Sequence, residues 1–557
     1  MKKFFFAISL LAAVGAAQAQ NIVDAGRFGT TDIAGTARYR SMGGAFGAIG
    51  GDPTCMTDNP AGMAIFRGTN QFSFSPTLNV TKTATDGTVR EKDSKTGFSV
   101  SNLAYVLSIR PEAGHLVNFN FGIGFNHSEG VHRKYKMTND NPTSSFGTYL
   151  AVMANNALCA EDRFDDPGYL ATKEAWNNAN MPLVGLMGYD TYAIDDVVDQ
   201  HGIPLGGVEA YNDACGLDAY QRMAVTEKNR TDEYNFNLSA NFDDTFYAGF
   251  TLSVVDFNST ILTDLYEDYD YNYNGDYTEY SNDLETKGTG VNIKLGVIYR
   301  PTNAWRIGAA VHSPTWYNMR DFYNGRMLTN DERCKGYTYA SDNGSYEYRY
   351  KYYTPWEFQF STAYVIGTKA ILSFEYDLKD FTTAKYSSSD NISYKYMNEL
   401  LKANMQKMHT FKAGVEYRIT DALSIRGGYA HQSSPYTKQF LNDDYGCTVW
   451  SEVDKYGHTW GDDRTFMYDS STKTNYSILD DTHYISGGIG YSFQSFFVDF
   501  SVTDRIQNEK IAAFPTTQDV YFDDNWNCIP IDSGVWSDHI NMRTNTWRYE
   551  LTLGWRF

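Results

Sequence analysis

The chain lacks any apolar run long enough to cross a membrane as a helix. A spanning helix needs about 20 consecutive apolar residues, and the one pronounced run, at 4–14, is shorter and sits at the N-terminus. Mean hydropathy is −0.46, so any membrane segment has to be a strand. Proline is scarce, 14 in 557 residues, which suits long uninterrupted strands because proline cannot donate to a ladder. Basic residues are outnumbered, 47 against 67, for a net charge of −20. That excludes an electrostatic grip on nucleic acid, which needs basic surface. The six cysteines, Cys55, Cys159, Cys215, Cys334, Cys447 and Cys528, form no CxxC, so neither a zinc site nor a redox motif is indicated. No GxSxG or comparable nucleophile motif accompanies His127, His132, His312, His409, His431 and His483, and no enzyme is expected.

What the chain has instead is aromatic side chains, 43 tyrosines and 34 phenylalanines, and a recognisable N-terminus. Lys2 and Lys3 precede the apolar run, and Ala16-Ala17-Gln18-Ala19 follows it. This is the three-part pattern of a secretory signal; residues 1–19 are expected to be removed after Ala19. Export makes disulfides possible, with pairing undetermined by sequence.

The C-terminal segment shows the dominant pattern. Trp547, Tyr549, Leu551, Leu553, Trp555 and Phe557 alternate with Thr546, Arg548, Glu550, Thr552, Gly554 and Arg556. On a strand this makes one apolar face with aromatics at both ends and one polar face. With a tilt near 40°, Trp547 and Trp555 stand about 20 Å apart in height, close to the apolar band of a transmembrane barrel. The same period recurs near Phe72, Phe98, Val117, Tyr234, Phe246, Val291, Trp305, Trp356, Ala370, Phe411, Leu423, Ile485 and Phe496. These segments predict an all-β fold, a transmembrane antiparallel barrel of about 14 strands over 69–557. Short turns, as at Asp243-Asp244 and Gly367-Thr368, alternate with long connections at 82–96, 131–230, 259–287, 314–354, 382–407, 433–481 and 504–544. Short periplasmic turns and long extracellular loops are the asymmetry expected of such barrels in an outer membrane.

Residues 20–68 do not alternate and are rich in small residues, as in 41–51 (SMGGAFGAIGG). Such a segment is expected to fold into a compact hatch inside the lumen, since glycine permits tight turns and close backbone approach. Within it, 52–66 reads DPTCMTDNPAGMAIF. Asn59 followed by Pro60 is a sound helix start, an N-cap with proline at the first helical position.

This stretch resembles the hatch signature of the outer-membrane long-chain fatty-acid transporter family (FadL/TodX-like), matching its Asn-Pro-Ala core at Asn59, Pro60 and Ala61. Segments 295–314, 425–435 and 484–502 are similar to that family's barrel in the same order. The resemblance implies a monomeric, cofactor-free barrel that takes up fatty acids or other hydrophobic compounds passively. It also implies sideways release into the bilayer through an opening made by a kink in the third strand. Gly122 and Gly124 on that strand are the candidate gate residues, with room-making for the plug as the other reading. The partners expected are hydrophobic small molecules, outer-membrane lipid and lipopolysaccharide, and the barrel-assembly machinery through the strand ending at Phe557. A surface binding or adhesion protein anchored by a barrel, or a haem receptor using a lumenal histidine, is the alternative. Asp270, Asn272 and Asn274 in the acidic, tyrosine-rich 264–284 match the start of a calcium loop, but Ser281 stands where its bidentate glutamate belongs.

Overall fold

A computed structural model describes residues 22–557 apart from 112–113, 179–180, 217, 270–274, 331–337, 388–393, 443–473, 516, 523–527 and 536. The predicted signal segment and the calcium-loop candidates Asp270, Asn272 and Asn274 lie outside the described residues.

The seventeen segments of the main sheet make fourteen staves, because three staves are each interrupted once. They are β1 (Gln71–Thr85), β2 (Glu91–Ile109), β3 (Leu116–Asn139), β4 (Ala219–Phe242), β5 (Phe246–Tyr269), β6 (Asp276–Tyr299) and β7 (Trp305–His312 with Trp316–Asn330). Then follow β8 (Thr338–Tyr353 with Glu357–Ile366), β9 (Ala370–Asp380 with Lys385–Ser387), β10 (Lys407–Arg418), β11 (Leu423–Gln432), β12 (Tyr476–Phe493), β13 (Phe496–Ala512) and β14 (Ile540–Arg556). Neighbours in sequence pair antiparallel, and β1 closes on β14 from Gln71↔Arg556 to Thr85↔Met542. Pro314 and Pro355 stand at two of the interruptions, where a missing N–H breaks the ladder.

An apolar belt circles the lower part of the barrel. Phe250 and Leu252, Leu295 and Val297, Phe358 and Phe360, Ile485 and Ile489, and Tyr549 and Leu553 all point outward and are exposed. Above the belt the alternation changes phase. In β5 the inward Thr251 and Ser253 give way to inward Val255, Phe257, Ile261 and Leu265, while the outward positions become Asp256, Asn258, Asp264 and Asp268. Below, the strand is apolar toward lipid; above, it is apolar toward the barrel interior, as in a soluble sheet.

That inversion corrects the connections expected from sequence. β5 and β6 are 24 residues each, about 60 Å of tilted strand, so most of 259–287 is hairpin. Likewise 314–354 carries the upper halves of β7 and β8, and 504–544 begins in β13 and ends in β14. The long 131–230 keeps β3 to Asn139 and β4 from Ala219, and the insertion between them is folded. It contains α1 (Phe146–Ala160), α2 (Leu183–Asp190) and the hairpin Ile194–Val198 with Pro204–Ala210. Phe146, Leu150, Met153, Leu183 and Met187 of the insertion pack with Ile261, Leu265, Tyr280 and Met327 of the wall in one apolar core. The insertion thus fills the upper barrel.

Candidate functional site

The hatch occupies the lumen at the level of the belt. Asn59 caps a short 3-10 helix, Pro60–Ile65, its side chain accepting from the Ala61 N–H at 3.1 Å. The same side chain donates to the Gly47 carbonyl at 2.7 Å. The Asn-Pro-Ala core therefore ties two hatch turns together, and all three residues are buried.

Barrel glycines admit the hatch backbone. A Cβ on Gly249 of β5 would lie 2.2 Å from the Pro60 carbonyl carbon, on Gly308 of β7 2.5 Å from the Gly47 oxygen, and on Gly428 of β11 2.1 Å from the Gly43 nitrogen. Only glycine allows backbone to meet backbone so closely. Gly122 and Gly124 play a related part: a Cβ on either would stand 2.8 Å from Met56, at its sulfur or its methyl.

Charges complete the seal. Glu416 of the wall is bonded by Arg38 of the hatch at 2.9 Å and by Arg426 at 2.6 Å, and Arg40 meets Glu550 at 2.7 Å. Asp32 pairs with Arg548. Lys412 lies 2.6 Å from Glu375 and 2.8 Å from Asp377, and Glu375 also accepts from the Gly47 N–H. Removing one partner from such a buried pair strands the other charge in low dielectric.

Above the hatch lies a chamber walled by Tyr317, Tyr350, Tyr352, Tyr386, Tyr436 and Met319. The helix Ile22–Gly29 sits in it, held by Tyr436, which donates to the Val23 carbonyl at 3.0 Å, and by Tyr352, which donates to the Ala25 carbonyl at 2.8 Å. Beside the chamber a cavity of about 810 Å3 is lined by Thr85, Gln406, Ser434, Ile478, Glu509 and Met542 among others. A buried ion-pair layer, Arg27 and Arg133 on Glu227 with Arg133 also on Glu509, separates the chamber from the apolar core of the insertion.

The wall has one conspicuous break. Pairing of β2 with β3 runs from Ile109↔Phe119 to Asn102↔Asn126 and stops there, although β2 continues to Glu91 and β3 to Asn139. Past Asn126, β3 stays paired with β4 alone, with a bulge between Ser128 and Val131. Its far edge tucks inside β1, where Thr83 and Thr85 donate to the main-chain oxygens of Lys134 and Lys136. The break is filled by side chains: a Cβ on Gly97 of β2 would lie 3.0 Å from Glu129 and 3.1 Å from His132. Gly122 and Gly124 lie just below it, on the paired part of β3. The bulge residues that make the break leave one trace in the sequence, the interruption of the alternation at His127-Ser128-Glu129-Gly130.

The histidines hold no catalytic arrangement with serine among their described bonds. His312 donates to the Asp58 main-chain carbonyl (2.7 Å), His409 bonds the Tyr376 hydroxyl (2.8 Å) and His483 the Tyr429 hydroxyl (2.9 Å), while His127 faces Asp232. Cys55 is a buried thiol inside the hatch, with no disulfide among the described residues.

Neither a family model nor a curated protein matches the chain. Solved structures do. A FadL homologue of Pseudomonas aeruginosa aligns over 95% of this chain and 99% of its own at 12% identity, with a TM-score of 0.50. The toluene transporters TodX of Pseudomonas putida and TbuX of Ralstonia pickettii align over 94% of this chain, and over 98% and 99% of their own, at 11% and 12% identity, each with a TM-score of 0.46. A closed fourteen-stave barrel with its N-terminal segment folded into the lumen is the fold of the FadL-like proteins, and it is the fold of this chain.

Proposed function

We propose that this chain is an outer-membrane passive transporter that takes up hydrophobic compounds, long-chain fatty acids among them, and releases them sideways into the bilayer. The observation that carries this reading is the end of β2–β3 pairing at Asn102↔Asn126, beside a lumen closed by the hatch. A lumen filled by the hatch, beside a wall seam that side chains alone close, suits a solute that leaves into lipid. Such a route spares an apolar solute from water, where each exposed methylene costs about 0.8 kcal/mol. A water-filled pore would need no hatch. Beside its apolar contacts, the hatch meets the wall through ion pairs and polar bonds that water can replace, and this supports a plug able to shift. The fold shared with a FadL homologue supports the same reading.

Uptake of labelled oleate and of labelled toluene by cells lacking and then regaining the gene tests it. Restored uptake of either is expected, and equal uptake of both with and without the gene would overturn the transporter reading. The folded insertion at 140–218, which shares an apolar core with the upper wall, favours a second reading, surface binding or adhesion on a barrel anchor. Cells carrying the barrel without the insertion would then lose binding to surfaces while uptake stayed unchanged.

A further inference from the structure

The chain carries a net charge of −20, yet its charge is segregated on the outer face above the belt. The outward positions of β5 and β6 there are acidic and exposed, with Asp264, Glu279 and Asp283. The adjoining face of β3 and β4 is the reverse. Lys134 and Lys136 of β3 and Lys228 of β4 are exposed and point outward. Register places His132 opposite Lys228 and Lys134 opposite Thr226, so Lys228 and Lys134 are diagonal cross-strand neighbours, roughly 7–8 Å apart at the backbone. Lys95 of β2 stands behind them: it pairs with the inward-facing Thr81 of β1, so its half-buried side chain points to the inner side of the wall, within Coulomb reach of His132.

These cations are unspent. Glu129 is engaged with Asn79 and His132, and Glu91 accepts from Thr138. Among the described residues, no carboxylate lies within 4.0 Å of Lys95, Lys134, Lys136 or Lys228. Three unpaired lysines on one face of an acidic protein, with a fourth behind them, are unfavourable to one another and call for an anion.

Their height identifies it. On β4 the outward apolar run ends upward at Tyr234, which is exposed, with Phe236 and Leu238 below. Lys228 and Thr226, level with Lys134, stand six and eight residues further along, about 15 and 20 Å above Tyr234 for a strand tilted near 40°. That is headgroup height for a lipid whose chains lie against the belt, and a phosphate there would find lysine donors.

We infer that the face formed by Lys134, Lys136 and Lys228 binds the phosphorylated saccharide headgroup of an outer-leaflet glycolipid, whose acyl chains rest on Tyr234 and Phe236 beside the break between β2 and β3. This rests on the outer-membrane placement proposed above, with the insertion on the outside. A glycolipid held here flanks the side opening and fills the bilayer where cargo would emerge.

The test uses the purified full chain and lipopolysaccharide radiolabelled in its acyl chains, in detergent, with bound label per barrel as the readout. A Lys134→Gln/Lys136→Gln/Lys228→Gln variant is expected to lose at least about ten-fold in affinity, since each lysine near an anionic lipid surface contributes about five-fold. Wild-type binding should weaken steeply with salt, and dephosphorylated lipopolysaccharide should bind the wild type no better than the phosphorylated form binds the variant. An Asp264→Asn/Glu279→Gln/Asp283→Asn variant, on the acidic face, should bind as the wild type does. Folding of each variant is checked by the heat-dependent shift in gel mobility that closed barrels show. Affinity of the lysine variant within two-fold of wild type overturns the inference, as does displacement of the glycolipid by inorganic phosphate at equal concentration. Oleate uptake measured on the same variants separates the two proposals: binding lost with uptake intact leaves the transporter reading standing, and uptake absent in wild type with binding intact overturns only that reading.

Discussion

The Glu267 carboxylate of β5 receives the Phe146 backbone N–H on both oxygens, at 2.7 and 2.9 Å. Phe146 opens α1, so a wall acid caps the first turn of the helix that fills the barrel mouth. Gln221 donates to the same carboxylate at 2.8 Å, and the side chain is fully buried.

That burial sets a pH dependence. Desolvation raises the Glu267 carboxyl from its ordinary 4.5 to about 7, against the pull of the Phe146 and Gly147 N–H groups and Gln221. The folded state therefore holds the proton through a window where the unfolded state has lost it. Stability falls as pH rises from about 4.5 to 7 and levels off above, by a total on the order of 3 kcal/mol. Protease cleavage within 140–218 should be slower at pH 5 than at pH 8, and Glu267→Gln should flatten that difference. A profile unchanged by the substitution would contradict this.

Gly249→Val should unseat the hatch. Its Cβ would stand 2.2 Å from the Pro60 carbonyl carbon, a backbone contact that no side-chain rotation relieves. Overpacking of this kind costs about 1–3 kcal/mol. Single-channel conductance in planar bilayers should rise toward that of a barrel lacking 21–68, while Gly427→Val, on β11 where a Cβ has only Val415 at 3.8 Å, should leave it low.

Arg40→Ala removes the cation 2.7 Å from Glu550, both fully buried. Leaving Glu550 alone is expected to cost about 3–5 kcal/mol. Thermal unfolding should show that loss, and Arg40→Met combined with Glu550→Leu should recover most of it. Failure of the double variant to recover would mean that the pair does more than neutralise itself.

A cysteine pair at Gly97 and His132 should staple β2 to β3 across the break, because the Cβ position of residue 97 is 3.1 Å from the His132 ring. Oxidation is expected to lower oleate uptake at least several-fold, and reductant to restore it. Full cross-linking with unchanged uptake would place the exit elsewhere.

Much of this architecture is legible in the residues. Strands beginning near Leu423, Phe496 and Trp547 announce themselves because a wall between lipid and a polar lumen demands alternation, and Asn59-Pro60 announces its helix through capping. Gly249, Gly308 and Gly428 were equally visible, each inward-facing on its strand, but nothing local distinguishes a glycine that meets the hatch from one that merely bends a strand. The upper halves of β5 and β6 read as loop in the sequence because their apolar residues change from the outward to the inward phase at Val255. A period-two signal read for lipid-facing residues ends there.

The sequence by itself determined a barrel, its stave number and its plugged lumen, since strand period, turn chemistry and small-residue content are local properties. Only the tertiary structure decided where the wall parts, which glycines admit the hatch, and that 140–218 fills the mouth. Those depend on which residues from distant strands meet, as Arg133 meets Glu509 and Glu267 meets Phe146. No spacing along the chain encodes such meetings, because closing the barrel brings its two ends together as neighbours.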